Sequence, residues 1–375
     1  MSDHLPFARP TIDEKSIEDV AQVLRSGWIA SGPYVAKFES ALSTFLGGRE
    51  VRTVTSGTAA LEIALRAAGV REGDGVIVPA MSFAASANVV MRVGAIPVFV
   101  DVELRSRNLD LALVPAAISP RVRAIMPVHF AGLPVDQERL YDIAAKHGVR
   151  VIEDAAHAIG STYRGRRIGS FGDVACFSFH PNKNLTTIEG GAIAFGSGVD
   201  VDLIELERFH GIIRDGEGNV DVVRAGGKYN LSDVAARLGL AQLERLDGFT
   251  ARRRELANLY FDELGVDPPG VLPERGDSGH SWNMFTLLLP FDQLGTTRAQ
   301  FQHAMGQRGI GVGVHYPCIP SLTAYRNLSD RSAHRYPNAA RIGRETVTLP
   351  LFPTMADSDV RRVCEALRAV LAHRT

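Results

Sequence analysis

From Thr58 to Phe195, short apolar runs alternate with amphipathic stretches. GVIVPA, IPVFVD, RAIMPVHF, VRVIEDAA, VACFSFH and GGAIAF are rich in Val, Ile and Phe and predict buried strands. TAALEIALRAAG, SANVVMRVG and DQERLYDIAAKHG lie between them with apolar residues three and four apart, which predicts helices. Buried strands separated by helices imply a mostly parallel sheet covered on both faces. In such sheets ligands sit outside the carboxyl ends of the strands.

The flanks read differently. TIDEKSIEDVAQVLRSG predicts an opening helix, with Thr11 and Glu14 at capping-box spacing, Ile17, Val20, Ala21 and Leu24 as its apolar face, and Gly27 as its stop. SGWIASGP then predicts a loop that exposes Trp28 and Ile29. From Arg208 to Lys228 the pattern lapses into a Gly-rich loop, the kind that is functional or mobile. SDVAARLGLAQLERLDGF and TARRRELANLYFDEL predict two helices. After Gly265 come strand-like MFTLLLP, a helix near Arg298–Arg308, strand-like VGVHY and the final helix DSDVRRVCEALRAVLAHR, together a small α+β domain. The expected division is a large domain over 1–247 and a small one over 248–375.

The chain has 375 residues, 41 basic and 42 acidic, so no basic excess points to nucleic acid or a membrane surface. Cys176, Cys318 and Cys364 are widely spaced and outside any CxxC, which argues against disulfides and a Cys-rich zinc site. The N-terminus lacks the features of a signal peptide, and no apolar run reaches the ~18 residues of a spanning helix. A cytoplasmic protein without a metal is expected.

No GxGxxG follows a strand, and no GxxxxGK[ST], HExxH or GxSxG occurs, which removes the main support for nicotinamide, P-loop, zincin and α/β-hydrolase readings. Other features are weak singly. Ser56, Gly57 and Thr58 open a helix, either as a plain cap or as a phosphate cradle. Glu153 and Asp154 end a strand, where one carboxylate could cap a helix, pair with a base or hold a heteroaromatic nitrogen protonated. His157 follows one turn later. Phe83, after another strand, is core or a flat ring platform. Ser178, His180 and Lys183 lie where a strand runs out, and a lysine desolvated there can form Schiff bases. A phosphate cradle, a strand-end carboxylate, an aromatic platform and a desolvated lysine together suit pyridoxal 5′-phosphate (PLP).

Ordered motifs over nearly the whole chain, among them RPTID, SGWIASGP, TSGTAALEIAL, GDGVIVPAMSFAASAN, VIEDAAHAIGSTYRGRRIGSFGDVACFSFHPNKNLTTIEGGAI, GGKYNLSDVAARLGLAQLERLD and GIGVGVHYPCIP, resemble the DegT/DnrJ/EryC1/StrS aminotransferases. The resemblance implies the PLP-dependent transferase fold type I: an α/β fold with a mostly parallel seven-stranded sheet, helices on both faces and a small C-terminal α+β domain. It places the segment 1–35 near the active site. It makes Lys183 the Schiff-base lysine and proton carrier, Asp154 the partner of the pyridine nitrogen and Phe83 the ring platform. Ser56, Gly57, Thr58 and Ser178 would bind the phosphate, and His157 would lie near the ring hydroxyl. Asn230 would reach the phosphate in the neighbouring subunit, implying a homodimer with shared active sites.

The implied reaction is ping-pong transfer from glutamate or glutamine, through pyridoxamine phosphate (PMP), to a nucleotide-linked keto-sugar. His180 before the lysine and Glu189 after it resemble members that aminate C4 of a 4-keto sugar. MSDHLPFARP and EDAAHA resemble the UDP-4-amino-4-deoxy-L-arabinose enzymes of lipid A modification, which have Trp where Phe83 stands. The alternatives are a 3-keto-sugar or GDP-perosamine-type aminotransferase, and a non-catalytic sugar-binding or regulatory relative. Trp28, His315, Tyr316 and the loop Gly211–Lys228 are candidates for substrate contact.

Overall fold

The strands β1 (Glu50–Val54), β2 (Gly75–Pro79), β3 (Ile96–Val100), β4 (Val122–Ile125), β5 (Arg150–Asp154), β6 (Val174–Ser178) and β7 (Gly191–Phe195) form one sheet in the order β1-β7-β6-β5-β4-β2-β3. The computed structural model describes residues 4–196, 198–265, 268–325, 328 and 335–372. The pairs β2/β3, β2/β4, β4/β5 and β5/β6 are parallel, whereas β7 runs antiparallel to both β6 and β1. The mostly parallel seven-stranded sheet expected from the family resemblance is therefore present.

Alternate residues of one strand enter different cores, as the two-residue strand period requires. Val76 and Val78 of β2 join one cluster and Ile77 another. Val174 and Cys176 of β6 likewise face away from Ala175 and Phe177. Both faces of the sheet are thus buried, which explains the uninterrupted apolar runs. Each fully buried Val or Ile contributes about 1.5–3 kcal/mol of transfer free energy.

Several expectations change. The two stretches predicted around residue 248 form one helix, Asp233–Leu264, so the expected boundary at 247/248 falls inside it. Gly248 weakens a helix locally by roughly 1 kcal/mol, but Leu246 and Phe249 on either side are buried and hold the chain in register. Ala235, Ala236 and Leu246 of its first half pack with the sheet, whereas Leu256, Ala257, Tyr260 and Leu264 enter a separate C-terminal core. That core contains the antiparallel pair Phe285–Leu288 and Thr346–Leu349 and the helices Arg298–Gln307 and Asp357–Ala372. The stretch VGVHY makes one bridge, Gly313 to Thr348, and no strand. His373 and Arg374, predicted to end the last helix, lie outside the described residues, as do residues 1–3 of the N-terminal segment.

The first helix, Glu14–Ser26, is capped by Asp13, whose carboxylate accepts from Ser16 N at 2.9 Å; Thr11 is not the cap. Gly27 ends it in the left-handed region, as expected. Its predicted apolar face is turned outward: Ile17 and Leu24 are more than half exposed, and Val23 and Ser16 are buried instead. Ion pairs from Asp13 to Arg245 and from Asp19 to Arg237 tie it to the long helix and set this rotation. The weakly patterned segment 208–228 contains a hairpin, Ile212–Arg214 with Val220–Val222. The helix Pro33–Phe45 and the strand β1 carry no expectation from the sequence pattern.

Candidate active site

Three chain segments meet at one end of the sheet. Register pairs Val54 with Gly191 and Gly191 with Ser178, so the turn after β1 lies against the end of β6. Ser56 caps the helix Gly57–Ala67, its hydroxyl accepting from Ala59 N at 3.1 Å. The approach is close: a Cβ on Gly57 would stand 2.7 Å from Ser178 Cβ, and one on Gly191 would stand 2.5 Å from the Ser56 carbonyl carbon. Gly57 therefore keeps open a concave turn bordered by Ser56, Thr58 and Ser178 at a helix N-terminus, where amide N–H groups and the dipole favour an anion.

Asp154 ends β5 beside this turn. Glu153 and Asp154 point to opposite faces, which settles the choice between them. Glu153 is turned away into a buried network with His129 (2.8 Å), Gln137 (3.0 Å) and Tyr141 (2.7 Å). Asp154 borders the cavity, accepting from Ser86 Oγ at 2.8 Å and from Ala156 N at 3.2 Å. Burial pushes its carboxyl pKa up, while the Ser86 and Ala156 hydrogen bonds and the charges of Lys183 and His129 oppose that shift.

Lys183 lies in the turn after β6, its backbone N–H bonded to His180 O at 2.9 Å. Its side chain is half-buried and borders the same cavity. No hydrogen bond or ion pair to Lys183 Nζ occurs among the described residues. Burial lowers its pKa to about 8, against the attraction of Asp154. Near that pH a large fraction of the amine is neutral and nucleophilic.

The cavity has a volume of about 290 Å³. Phe83 borders it with 58% of its surface exposed, so the core reading of this residue is wrong and its ring face is free. His157 is buried, and its Nδ1 accepts from Ala131 N at 3.3 Å. Burial, then Lys183, pushes its pKa well below the ordinary value, so the ring is neutral. The proton then sits on Nε2, which donates toward the Tyr316 hydroxyl at 3.3 Å. Tyr316 also packs against Phe83, with ring centroids 5.7 Å apart. His315 bonds Thr348 at 2.7 Å, and burial lowers its pKa to about 4. The N-terminal segment approaches through Phe7, whose ring lies 5.6 Å from that of His315. His180 and Glu189 stand at the rim, Nε2 to Oε1 3.9 Å.

Two candidates lie elsewhere in this chain. Asn230 pairs with Val54 at the end of β1 and bonds Lys228 and Ser31, outside the cavity lining. Trp28 is 62% exposed and packs beside Gly32. Ser82, Asn182, Val128 and Ala156 also border the cavity but are not marked by the sequence reading. Their position just beyond strand ends was the available signal. A larger cavity of about 590 Å³, around Glu103, Arg139 and Arg275, has no lysine, histidine or cysteine in its lining.

The residues fit PLP. An open anion-binding turn, an exposed aromatic face, a buried carboxylate and an amine free of protein partners share one cavity. Among the described residues no group of three or more His, Cys, Asp or Glu is placed to hold a metal ion, and no helix is long and apolar enough to cross a membrane.

Comparisons with known proteins agree. The profile of the DegT/DnrJ/EryC1/StrS aminotransferase family matches residues 10–368. The spore coat polysaccharide biosynthesis protein SpsC of Bacillus subtilis (strain 168) is 36% identical, over 98% of this chain and 97% of that protein. Spr1654 of Streptococcus pneumoniae, assigned as a sugar aminotransferase, superimposes in its PMP form with a TM-score of 0.92 at 32% identity, covering 99% of this chain and 98% of that one. Its PLP form superimposes equally well. Helicobacter pylori PseC, an aminotransferase involved in the biosynthesis of pseudoaminic acid, also gives a TM-score of 0.92, at 25% identity over 99% of this chain and 100% of that one.

Proposed function

The chain belongs to the DegT/DnrJ/EryC1/StrS aminotransferase family of PLP-dependent transaminases, and from that premise we propose that this sugar aminotransferase aminates C4 of a UDP-linked 4-keto sugar with glutamate or glutamine as donor. The observation that carries the C4 assignment is the His180–Glu189 pair at the cavity rim. A base and a carboxylate there can hydrogen-bond the C3 hydroxyl beside a C4 ketone, and both residues match those that the family resemblance associates with amination at C4. SpsC and PseC are named for polysaccharide and sugar-acid biosynthesis, and this chain is assigned to the same kind of pathway, making an amino sugar for lipid A, O-antigen or another glycan in the cytoplasm.

PLP supplies an electron-withdrawing ring that stabilises negative charge at the donor Cα. The turn Ser56–Thr58 and Ser178 would bind its phosphate, Phe83 would orient its ring, and Asp154 would hold the ring nitrogen protonated. The neutral His157, its Nε2 proton turned toward Tyr316, would stand near the ring hydroxyl. Lys183 would hold the cofactor covalently, and its neutral amine would serve as the base that takes a proton from the donor Cα. Lys183 delivers a proton in the opposite sense when the keto-sugar is aminated.

The test is product analysis on UDP-, GDP- and dTDP-linked 4-keto and 3-keto sugars with either donor. A UDP-4-amino sugar is expected as the preferred product. Preferred amination of a 3-keto or GDP-linked substrate overturns the specificity.

The active sites are assigned to a homodimer. Asn230 stands outside its own cavity, and Ile17, Leu24, Trp28 and Ile29 are apolar residues left exposed in the single chain. If Asn230 completes the partner's site, Lys183→Ala and Asn230→Ala chains mixed into heterodimers regain one intact site in two. Recovered activity in the mixture, measured after subunit exchange, is the expected result. No recovery above the sum of the separate variants counts against sharing.

A further inference from the structure

The segment between β2 and the helix Ala85–Arg92 contributes more than a ring platform. Ser82 and Phe83 border the cavity, while Ser86 sits behind them, fully buried in the first turn of the helix. Ser86 Oγ lies 2.8 Å from Asp154 Oδ2, 3.3 Å from Phe83 O and 3.2 Å from Ser82 Oγ. A hydroxyl has a single proton to donate. The carboxylate is both the nearer and the stronger acceptor, so that proton goes to Asp154. Ser82 then donates to the Ser86 oxygen, giving a chain Ser82 to Ser86 to Asp154. The second carboxylate oxygen is held by Ala156 N at 3.2 Å.

We infer that Ser86, backed by Ser82, is a positioning residue for PLP binding: it locks the plane of the Asp154 carboxylate and keeps it ionised to meet the pyridinium. A carboxylate held by one donor on each oxygen cannot rotate freely, and its remaining lone pairs are available to the cavity. The inference rests on the role proposed above for Asp154. The same short segment then supplies the ring face through Phe83 and the ring-nitrogen contact through Asp154, so both are set by how the chain leaves β2.

The ionised state supports this. Burial disfavours the Asp154 charge, and the Ser86 hydrogen bond is the largest effect opposing it. The other titratable groups around Asp154 are Lys183 after β6, His129 after β4, Cys176 on β6 and Tyr316. Lys183 and His129 favour the carboxylate. Without Ser86 the carboxyl protonates at higher pH.

Apoprotein is titrated with PLP across a pH series, following the cofactor absorbance, for wild type, Ser86→Ala, Asp154→Asn and the double variant. Ser86→Ala is expected to weaken PLP binding about 10-fold, the scale of a hydrogen bond to a charged group, and to move the acid limb of the binding profile to higher pH. In the Asp154→Asn background the same change is expected to have a much smaller effect on affinity, because the charge that Ser86 stabilises is gone. Unchanged affinity and pH profile in Ser86→Ala overturns the inference. So does an equal loss in both backgrounds, which marks a purely structural serine. If Asp154→Asn alone leaves PLP affinity and the acid limb unchanged, the Asp154 assignment itself falls, an outcome distinct from failure at Ser86.

Discussion

Lys183→Ala is expected to lower transamination by about 10⁴-fold, the upper range for loss of a positioned acid–base group, and in addition to remove covalent attachment of PLP. The structure gives Lys183 three properties that a surface lysine lacks. It is half-buried, it borders the cavity opposite Asp154, and burial brings its pKa to about 8. Among the described residues no other lysine lines the cavity. The variant should fold, because Lys183 Nζ holds no protein contact whose loss leaves a buried group unsatisfied. PLP should still bind through the phosphate turn and Asp154, more weakly. Borohydride treatment should fix the cofactor to wild type and leave it dialysable in the variant. In wild type the rate of cofactor loading should rise as pH rises through about 8, since the neutral amine is the nucleophile. Single-turnover assays check the loss of rate, and retention of even a tenth of wild-type activity refutes the assignment.

Asp154→Asn is expected to cost about 10²–10³ in kcat, the scale for removing one preorganised electrostatic contact in a water-excluded site. An amide has almost the same shape, so the backbone contact from Ala156 can persist. What is lost is the negative charge proposed to keep the ring nitrogen protonated. Because burial disfavours that charge, the folded protein should be no less stable without it, and thermal melting is the control. The acid limb of the pH–rate profile set by Asp154 should disappear in the variant. Rates within a factor of three of wild type, or an unchanged acid limb, contradict the assignment.

Much of this was legible in the chain because both-sided burial writes itself as continuous apolar runs. β2 to β7 were readable from Val, Ile and Phe alone. β1 was not: EVRTV holds only two apolar residues, Val51 and Val54, and neither a continuous run nor a strict alternation. The opening helix misled for a related reason. Its apolar periodicity is real, but Ile17 and Leu24 face outward because ion pairs to the long helix fix its rotation. Periodicity identifies a face and does not say what covers it. The long helix Asp233–Leu264 was split in the reading because Gly248 is a local breaker, and burial on either side overrides a cost of roughly 1 kcal/mol.

By itself the sequence determined the fold class and the kind of ligand and singled out Lys183 as the candidate amine, because strand ends, helix starts and the residue types at them are local properties and recur in the family motifs. Residue pattern alone left open which neighbour faces the cavity; the family resemblance pointed to Asp154, and the tertiary structure puts it there. Asp154 rather than Glu153 borders the cavity because adjacent strand residues point to opposite faces, and register with β6 chooses the face. Gly57 has no room for a side chain because Ser178 Cβ stands 2.7 Å from where its Cβ would be. Ser86, invisible in the pattern, holds Asp154 across 68 positions of chain. Such contacts depend on how the strands are ordered in the sheet, and local sequence carries no record of that order.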